Sequence, residues 1–258
     1  MTYRADILGC PIDRLGMADT LVEIERAIAA GRYTQHMAIN AAKLVAMHDD
    51  PELCEIIDAC GLVNADGQSV VWASRLLGDP LPERVAGIDL MDALLELAES
   101  RGYGVYFLGA RADVLERAVE RLREKYPGLH VAGARDGYFA DDEAPEVCDE
   151  IRASGADLLF VAMSSPRKEY FLGEYGPNLG APFVMGVGGS IDVIAGVTRR
   201  APAAWQRLGL EWLFRLLQEP RRMFRRYAVT NARFVGLVGR AMLSGHGGQP
   251  HRAQRELT

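Results

Sequence analysis

Two hydrophobic periods alternate through the middle of the chain. Tyr103–Leu108 is a compact apolar run closed by Gly109, and Asp157–Met163 and Pro182–Val187 are further runs of the same kind. Each is short enough to be a strand buried on both faces. Between them the period is helical. Asp113–Tyr126 puts Val114, Leu115, Ala118, Val119 and Leu122 on one side and stops at Pro127-Gly128. Residues 130–134 predict a short strand. Pro145–Ser154, with proline in its first turn, and Arg167–Tyr175 predict helices. Buried strands alternating with helices predict a mostly parallel sheet covered on both faces.

The N-terminal part is less regular. Asp19–Ala30, Ala41–His48, Pro51–Ala59 and Ile88–Ser100 predict helices, while Gln35–Ile39 and Leu62–Ala65 predict strands. Their directions stay open, and mixed directions are admitted. After Thr198 strand patterns stop. Trp205, Leu208, Trp212 and Leu216 recur at helical spacing, predicting one helix that Pro220 breaks. Arg221–Leu243 predicts a second helix, with Arg221/Arg225 and Arg222/Arg226 stacked four residues apart. The polar stretch after Leu243 predicts a disordered tail. Three parts follow: a core over 1–198, a helical appendage over 199–243 and a tail over 244–258.

Composition sharpens this division. The 258 residues are 49% hydrophobic with a net charge of −6, too apolar and too weakly charged for a disordered chain. The total hides a split. Residues 1–198 carry 17 Lys+Arg against 32 Asp+Glu, and residues 199–258 carry 12, all Arg, against 3. An acidic body with an Arg-only end predicts two surfaces with different partners. The N-terminus has no basic stretch before an apolar one, so no secretory leader is expected, and no 18-residue apolar run predicts a membrane span. Cys10, Cys54, Cys60 and Cys148 lack metal-ligand spacing and are expected as reduced thiols, with no metal site.

Four segments could carry chemistry. Gly186-Val187-Gly188-Gly189-Ser190 follows a strand and precedes a helical stretch, which suits either a phosphate or a tight turn without ligand. Gly109-Ala110-Arg111 is a second strand end of this kind. Asp66, in Asn64-Ala65-Asp66-Gly67, is either an exposed general base or a helix cap. Ser164-Ser165-Pro166-Arg167-Lys168-Glu169 offers polar and cationic groups at a helix start, for a phosphate, a sugar or simple capping. The Arg-rich end, with Trp, Phe and Tyr among its cations, fits an anionic membrane surface better than nucleic acid or a solvated face.

Taken in order, these segments resemble the WecG/TagA/CpsF family of bacterial glycosyltransferases (glycosyltransferase family 26). The resemblance spans roughly residues 5–243. It rests on MAINAAKLV around Asn40, NADGQSVV (64–71), ERVAGIDLMDALL (83–95), VYFLGA (105–110), YPGL (126–129), DGYF (136–139), SSPRKE (164–169), GVGGSIDVIAG (186–196), RRAP (199–202) and LEWLFRLLQEPRRMFRRY (210–227). It implies an α/β fold: a Rossmann-like, mostly parallel sheet flanked by helices, with a C-terminal Arg-rich helical appendage. It also implies an inverting, metal-independent hexosyltransferase without cofactor. A UDP-sugar of the N-acetylmannosamine type would be the donor, and a polyprenyl-diphosphate-linked saccharide at the inner face of the plasma membrane the acceptor, in cell-surface polysaccharide synthesis.

Matching position by position, the resemblance implies Asp66 as the general base. Asn40 falls near the donor, and Arg84 faces diphosphate or sugar. Gly188 and Gly189 form the turn on the donor, with Asp192 near the nucleoside. Arg215, Arg222 and Arg225 close over the site and meet lipid phosphate. Two positions depart from the family pattern. Ala38 stands where Thr is common, and Lys168 stands where Gln is usual in P-K-Q-E. An ammonium there could meet a donor phosphate or a uronate carboxylate, so an altered donor preference is expected. Two other readings compete. A Rossmann-type oxidoreductase needs a glycine fingerprint that is missing. A non-enzymatic membrane or nucleic-acid adaptor leaves Asp66 and the glycine turn without purpose. Removing residues 199–258 is expected to leave a soluble core with little activity.

Overall fold

The computed structural model describes residues 4–207, 209–218 and 220–244, without the side chains at 203, 207, 215 and 221–227. Its centre is a six-stranded sheet in the order β4-β3-β8-β7-β5-β6. The strands are β3 (Thr34–Ile39), β4 (Leu62–Ala65), β5 (Val105–Gly109), β6 (Val131–Arg135), β7 (Leu158–Ala162) and β8 (Phe183–Gly186). Every pairing in it is parallel, so the mixed directions admitted for the N-terminal part do not occur within this sheet. The antiparallel element is a separate hairpin, β1 (Arg4–Ile7) and β2 (Cys10–Asp13), which the hydrophobic pattern did not reveal. It turns at Leu8 and Gly9, both at positive φ. Asp13 accepts the Val63 N–H at 2.7 Å, so the hairpin occupies a hydrogen-bonding position along β4 that would otherwise be open.

The alternation of side chains along the strands sorts the core into layers. Phe107, Leu158, Phe160, Phe183 and Met185 point to one face. There they pack under α1 (Met17–Ala29), α5 (Gly87–Arg101), α6 (Ala112–Lys125) and the short α9 (Ser190–Ile194). Tyr106, Leu108, Leu159, Val161 and Val184 point the other way, against α7 (Ala144–Ser154) and α8 (Arg167–Tyr175). Beside them Met37, Ile39, Val63 and Ala65 pack under α2 (Ala41–Met47), α3 (Pro51–Ala59) and α4 (Gln68–Leu76).

The C-terminal part differs from its pattern in two ways. The expected single helix over Trp205–Leu216 is two, α10 (Ala203–Arg207) and α11 (Glu211–Gln218). Gly209, at φ +69, turns the chain between them, and a Cβ there would lie 2.8 Å from Gln68. A left-handed glycine ends a helix whatever the apolar spacing beyond it. Pro220 opens the last helix, α12 (Pro220–Leu243), rather than only breaking the one before, because its missing N–H is no loss in a first turn. Phe234 and Val238 of α12 are buried in the same cluster as Leu44 and Val45 of α2. Arg233 adds a bidentate pair to Asp49 at 2.6 and 2.7 Å. A cut at residue 198 therefore removes part of the core along with the Arg-rich segment. Among the described residues no helix is long and apolar enough to cross a membrane.

Candidate functional site

A wholly parallel sheet brings all its strand ends to one edge. Asn40, Asp66, Ala110, Met163 and Val187 each begin the loop after a strand there. In such sheets ligands lie in the crevice where neighbouring strands send their chains to opposite sides. β5 continues toward β6 and β7 toward β8, so one crevice opens between β5 and β7. β3 continues outward to β4, so a second lies between β3 and β8.

Asp66 lies beside the second, at the end of β4 next to β3. Its N–H donates to Ile39 O at 2.8 Å, holding it beside Asn40. Gly67 packs so closely that a Cβ there would touch Asn40 at 3.4 Å. The side chain is not the cap of α4. The capping residue is Gly67, without a side-chain bond. Instead Asp66 Oδ1 accepts the Gly87 N–H at 2.9 Å, at the start of α5. One carboxylate oxygen is thus fixed by the backbone, and the residue remains partly exposed. The neighbouring backbone is braced in the same way, with Val85 N–H donating to Ala65 O at 2.9 Å.

Asn40 is the cap of α2, its Oδ1 accepting the Lys43 N–H at 3.0 Å. Beneath this pair of strand ends lies a buried polar chain that sequence reasoning missed. His36 Nε2 lies 3.1 Å from Asn64 Oδ1, and Asn64 Nδ2 donates to Thr20 Oγ1 at 3.1 Å. Burial pulls the His36 imidazole down to about 4, against the milder opposing effect of its Asn64 bond, so it is neutral near pH 7. The chain ties β3, β4 and α1 together directly below Asp66. Nothing in the spacing of His36 and Asn64 announces their pairing, because it arises from parallel register.

Lys168 and its motif form a second polar group, between α2 and α8. Its Nζ donates to Ser165 Oγ at 2.8 Å and lies 2.7 Å from Glu169 Oε1. Lys43 Nζ reaches the same oxygen at 2.9 Å, and Ser165 Oγ donates to it at 2.7 Å. Ser165 is therefore not the cap of α8; that position is Pro166. Burial would raise the Glu169 carboxyl, but the Lys43 and Lys168 ammonium groups outweigh it and hold it at about 2. The Lys168 stem rests on β8, where a Cβ on Gly186 would come within 2.9 Å of it. Lys43, unnoticed in the sequence, had one visible signal: it sits in the first turn of a helix that Asn40 opens.

The glycine turn lies next to this group. Val187 N–H donates to Val161 O at 2.9 Å. Gly188 has φ +50, and a Cβ built on it meets nothing within 4 Å. Gly189 faces Asp192, whose Oδ2 is 3.6 Å from its virtual Cβ. The helix that follows has only five residues, so its dipole adds little for an anion. At the other strand end, Arg111 forms an exposed pair with Asp113 at 2.8 Å.

Arg84 lies three residues before Gly87 and ties the site to the C-terminal helices. Its Nη1 is 2.5 Å from Glu211 Oε2. Arg200 Nη2 is 2.6 Å from Asp89 Oδ1, in the first turn of α5. The side chains of Arg215, Arg222 and Arg225 lie outside the described residues. Among the described residues no cluster of three His, Cys, Asp or Glu side chains could hold a metal ion. Cys10, Cys60 and Cys148 are buried thiols, and Cys54 is partly buried.

Asp66, Asn40 and Arg84 thus stand together around the ends of β3 and β4, while Lys168, Gly188, Gly189 and Asp192 lie across the crevice around β7 and β8. The model of the glycosyl transferase WecG/TagA/CpsF family matches residues 5–247. An N-acetylglucosaminyldiphosphoundecaprenol N-acetyl-beta-D-mannosaminyltransferase of Bacillus spizizenii strain W23 is 37% identical over 180 residues, covering 70% of this chain and 69% of the relative. With a family match across nearly its whole length and a relative this similar, the chain belongs to the WecG/TagA/CpsF family of glycosyl transferases.

Proposed function

We propose that the protein transfers an N-acetylmannosamine-type sugar from a UDP-sugar to a polyprenyl-diphosphate-linked saccharide, with inversion and without a metal, at the inner face of the plasma membrane. The observation that carries this is the seat of Asp66. Its carboxylate is anchored through Oδ1 on Gly87 at the open carboxyl edge of the sheet, beside Asn40 and Arg84. The relative's name supports the sugar and the acceptor class.

In this reading the acceptor hydroxyl oxygen attacks the anomeric carbon and its proton passes to Asp66 Oδ2. The bond from that carbon to the diphosphate oxygen breaks, and UDP leaves with the electron pair. Backbone N–H groups and cations then stabilise the departing charge. Arg84, the turn at Gly188 and Gly189, and Arg215, Arg222 and Arg225 are its sources, one such donor being worth about 3 kcal/mol of barrier. Asn40 Nδ2 and Asp192 orient the donor. Lys168 adds charge across the crevice, and with Ala38 it biases the protein toward a donor carrying an additional acidic group. A donor screen in which plain UDP-N-acetylmannosamine is the sole good substrate would remove that last role.

Membrane association is supported by the charge split and by exposed apolar side chains. Trp212 and Leu217 stand out on α11, and Trp72 and Leu76 on α4. Gly209 links the two surfaces, a Cβ there lying 3.6 Å from Trp72. The test of the central role is Asp66→Asn. Turnover should fall about 100-fold or more while UDP affinity stays within about twofold. Unchanged turnover would remove Asp66 as the base.

A further inference from the structure

Arg84 carries a partner that the proposed reaction does not use. Its guanidinium meets Glu211, the first residue of α11, at 2.5 Å in a pair that is only 15% and 24% exposed. Glu211 Oε1 lies 3.8 Å from Arg200 Nε, and Arg200 is bound in turn to Asp89 at the start of α5. The four side chains alternate in sign, from Arg84 to Glu211 on α11, on to Arg200 ahead of α10, and back to Asp89 on α5. Arg84 and Asp89, the two ends of this chain of charges, lie three residues before and two residues after Gly87, the group that holds Asp66.

A guanidinium accepts a carboxylate and a phosphate through the same edge geometry. If a diphosphate approached Arg84 while Glu211 stayed, two anions would share one cation in a partly buried place, where repulsion is poorly screened. We propose that Glu211 is a positioning residue that competes with the donor's diphosphate for Arg84. The carboxylate is a resident counter-anion, and it must yield when the nucleotide binds. Nucleotide occupancy is thereby coupled to the seat of α11, since Glu211 begins that helix. The inference rests on the reading of Arg84 as a diphosphate contact.

The experiment is UDP binding by calorimetry to the full chain and to Glu211→Gln, Arg84→Gln and the double variant, with the donor KM and kcat of Glu211→Gln measured alongside. Competition predicts a gain: Glu211→Gln should bind UDP about threefold to tenfold more tightly and show a lowered donor KM. That gain should vanish on the Arg84→Gln background, where no cation is left to release. Glu211→Gln keeps the shape of the side chain, and a melting temperature near that of the full chain confirms that it folds. Weaker or unchanged UDP binding in a folded Glu211→Gln overturns the proposal, as does a gain that persists without Arg84. Absence of any UDP binding to the unaltered chain fails the functional reading itself, and the inference falls with it.

Discussion

At the scale of single residues, polar groups were legible by kind but not by partner. Asp66 at a strand end read as a base or as a cap. The structure sets the cap aside, because the carboxylate turns to Gly87 in a segment 21 residues away. No local pattern encodes such a contact. The same holds for Glu169, visible in SSPRKE as a helix-start residue but acting as the buried anion between Lys43 and Lys168. Its depressed pKa makes a signed prediction. A carboxyl held at about 2 when folded and near 4.5 when unfolded stabilises the protein above pH 4.5, and this is lost as the pH falls toward 2. The contribution at neutral pH is on the order of 3 kcal/mol. Glu169→Gln should lose about that much at pH 7, since it leaves two ammonium groups buried without their anion. It should also flatten the acid slope, which urea titrations at a series of pH values will read. His36 adds a slope of the same sign between about 6.5 and 4, where the unfolded chain takes up a proton that the folded one refuses. His36→Gln should remove it.

At the scale of elements, buried strands were the clearest signal, and turns the poorest. β5, β7 and β8 are apolar through and through because helices cover both faces, so they stand out as runs. The β1–β2 hairpin went unseen since each strand has only four residues, β1 burying alternate side chains and β2 three of its four, the charged Asp13 among them. Trp205 and Trp212 shared a period but not a helix, for Gly209 intervenes at positive φ. Glycine also sets the β5–β7 crevice. Gly109 has φ +109, and a Cβ there would lie 2.7 Å from the Ala162 carbonyl carbon. Gly109→Ala should therefore combine backbone strain with a clash and cost about 2–4 kcal/mol, measurable as a lowered urea midpoint. By contrast Gly87→Ala meets only Met185 and Ala38, at 3.7 and 4.0 Å, and should fold normally.

At the scale of the whole molecule, the charge split divided the chain at 198, yet packing does not stop there. Phe234 and Val238 fill the same cluster as α2, and Arg233 is pinned to Asp49. The Arg-rich run between Pro220 and Tyr227 masked this in the sequence, because its arginines dominate the composition while the apolar contacts of Phe234 and Val238 come later in the same helix. Phe234→Ala should cost about 3 kcal/mol, as for other buried phenylalanines. A chain ending at 198 should melt well below one ending at 244, with calorimetry as the measure. For the membrane, the expectation is co-sedimentation with anionic vesicles that weakens as salt rises, since each surface arginine adds about 1 kcal/mol near anionic lipid. Equal binding to neutral vesicles in high salt would speak against the charged end as the anchor.

Sugar transfer from a UDP-sugar to a lipid diphosphate is decided most directly by one assay. The full chain is incubated with a panel of UDP-sugars and a short-chain polyprenyl-diphosphate N-acetylglucosamine, and the products are followed by mass spectrometry. The expected product is an acceptor heavier by one N-acetylhexosamine or N-acetylhexosaminuronic acid residue for a donor in the N-acetylmannosamine group, with one UDP released per transfer and a rate lower by about 100-fold or more with Asp66→Asn. An acceptor left unmodified by every donor, or full transfer by Asp66→Asn, would contradict it.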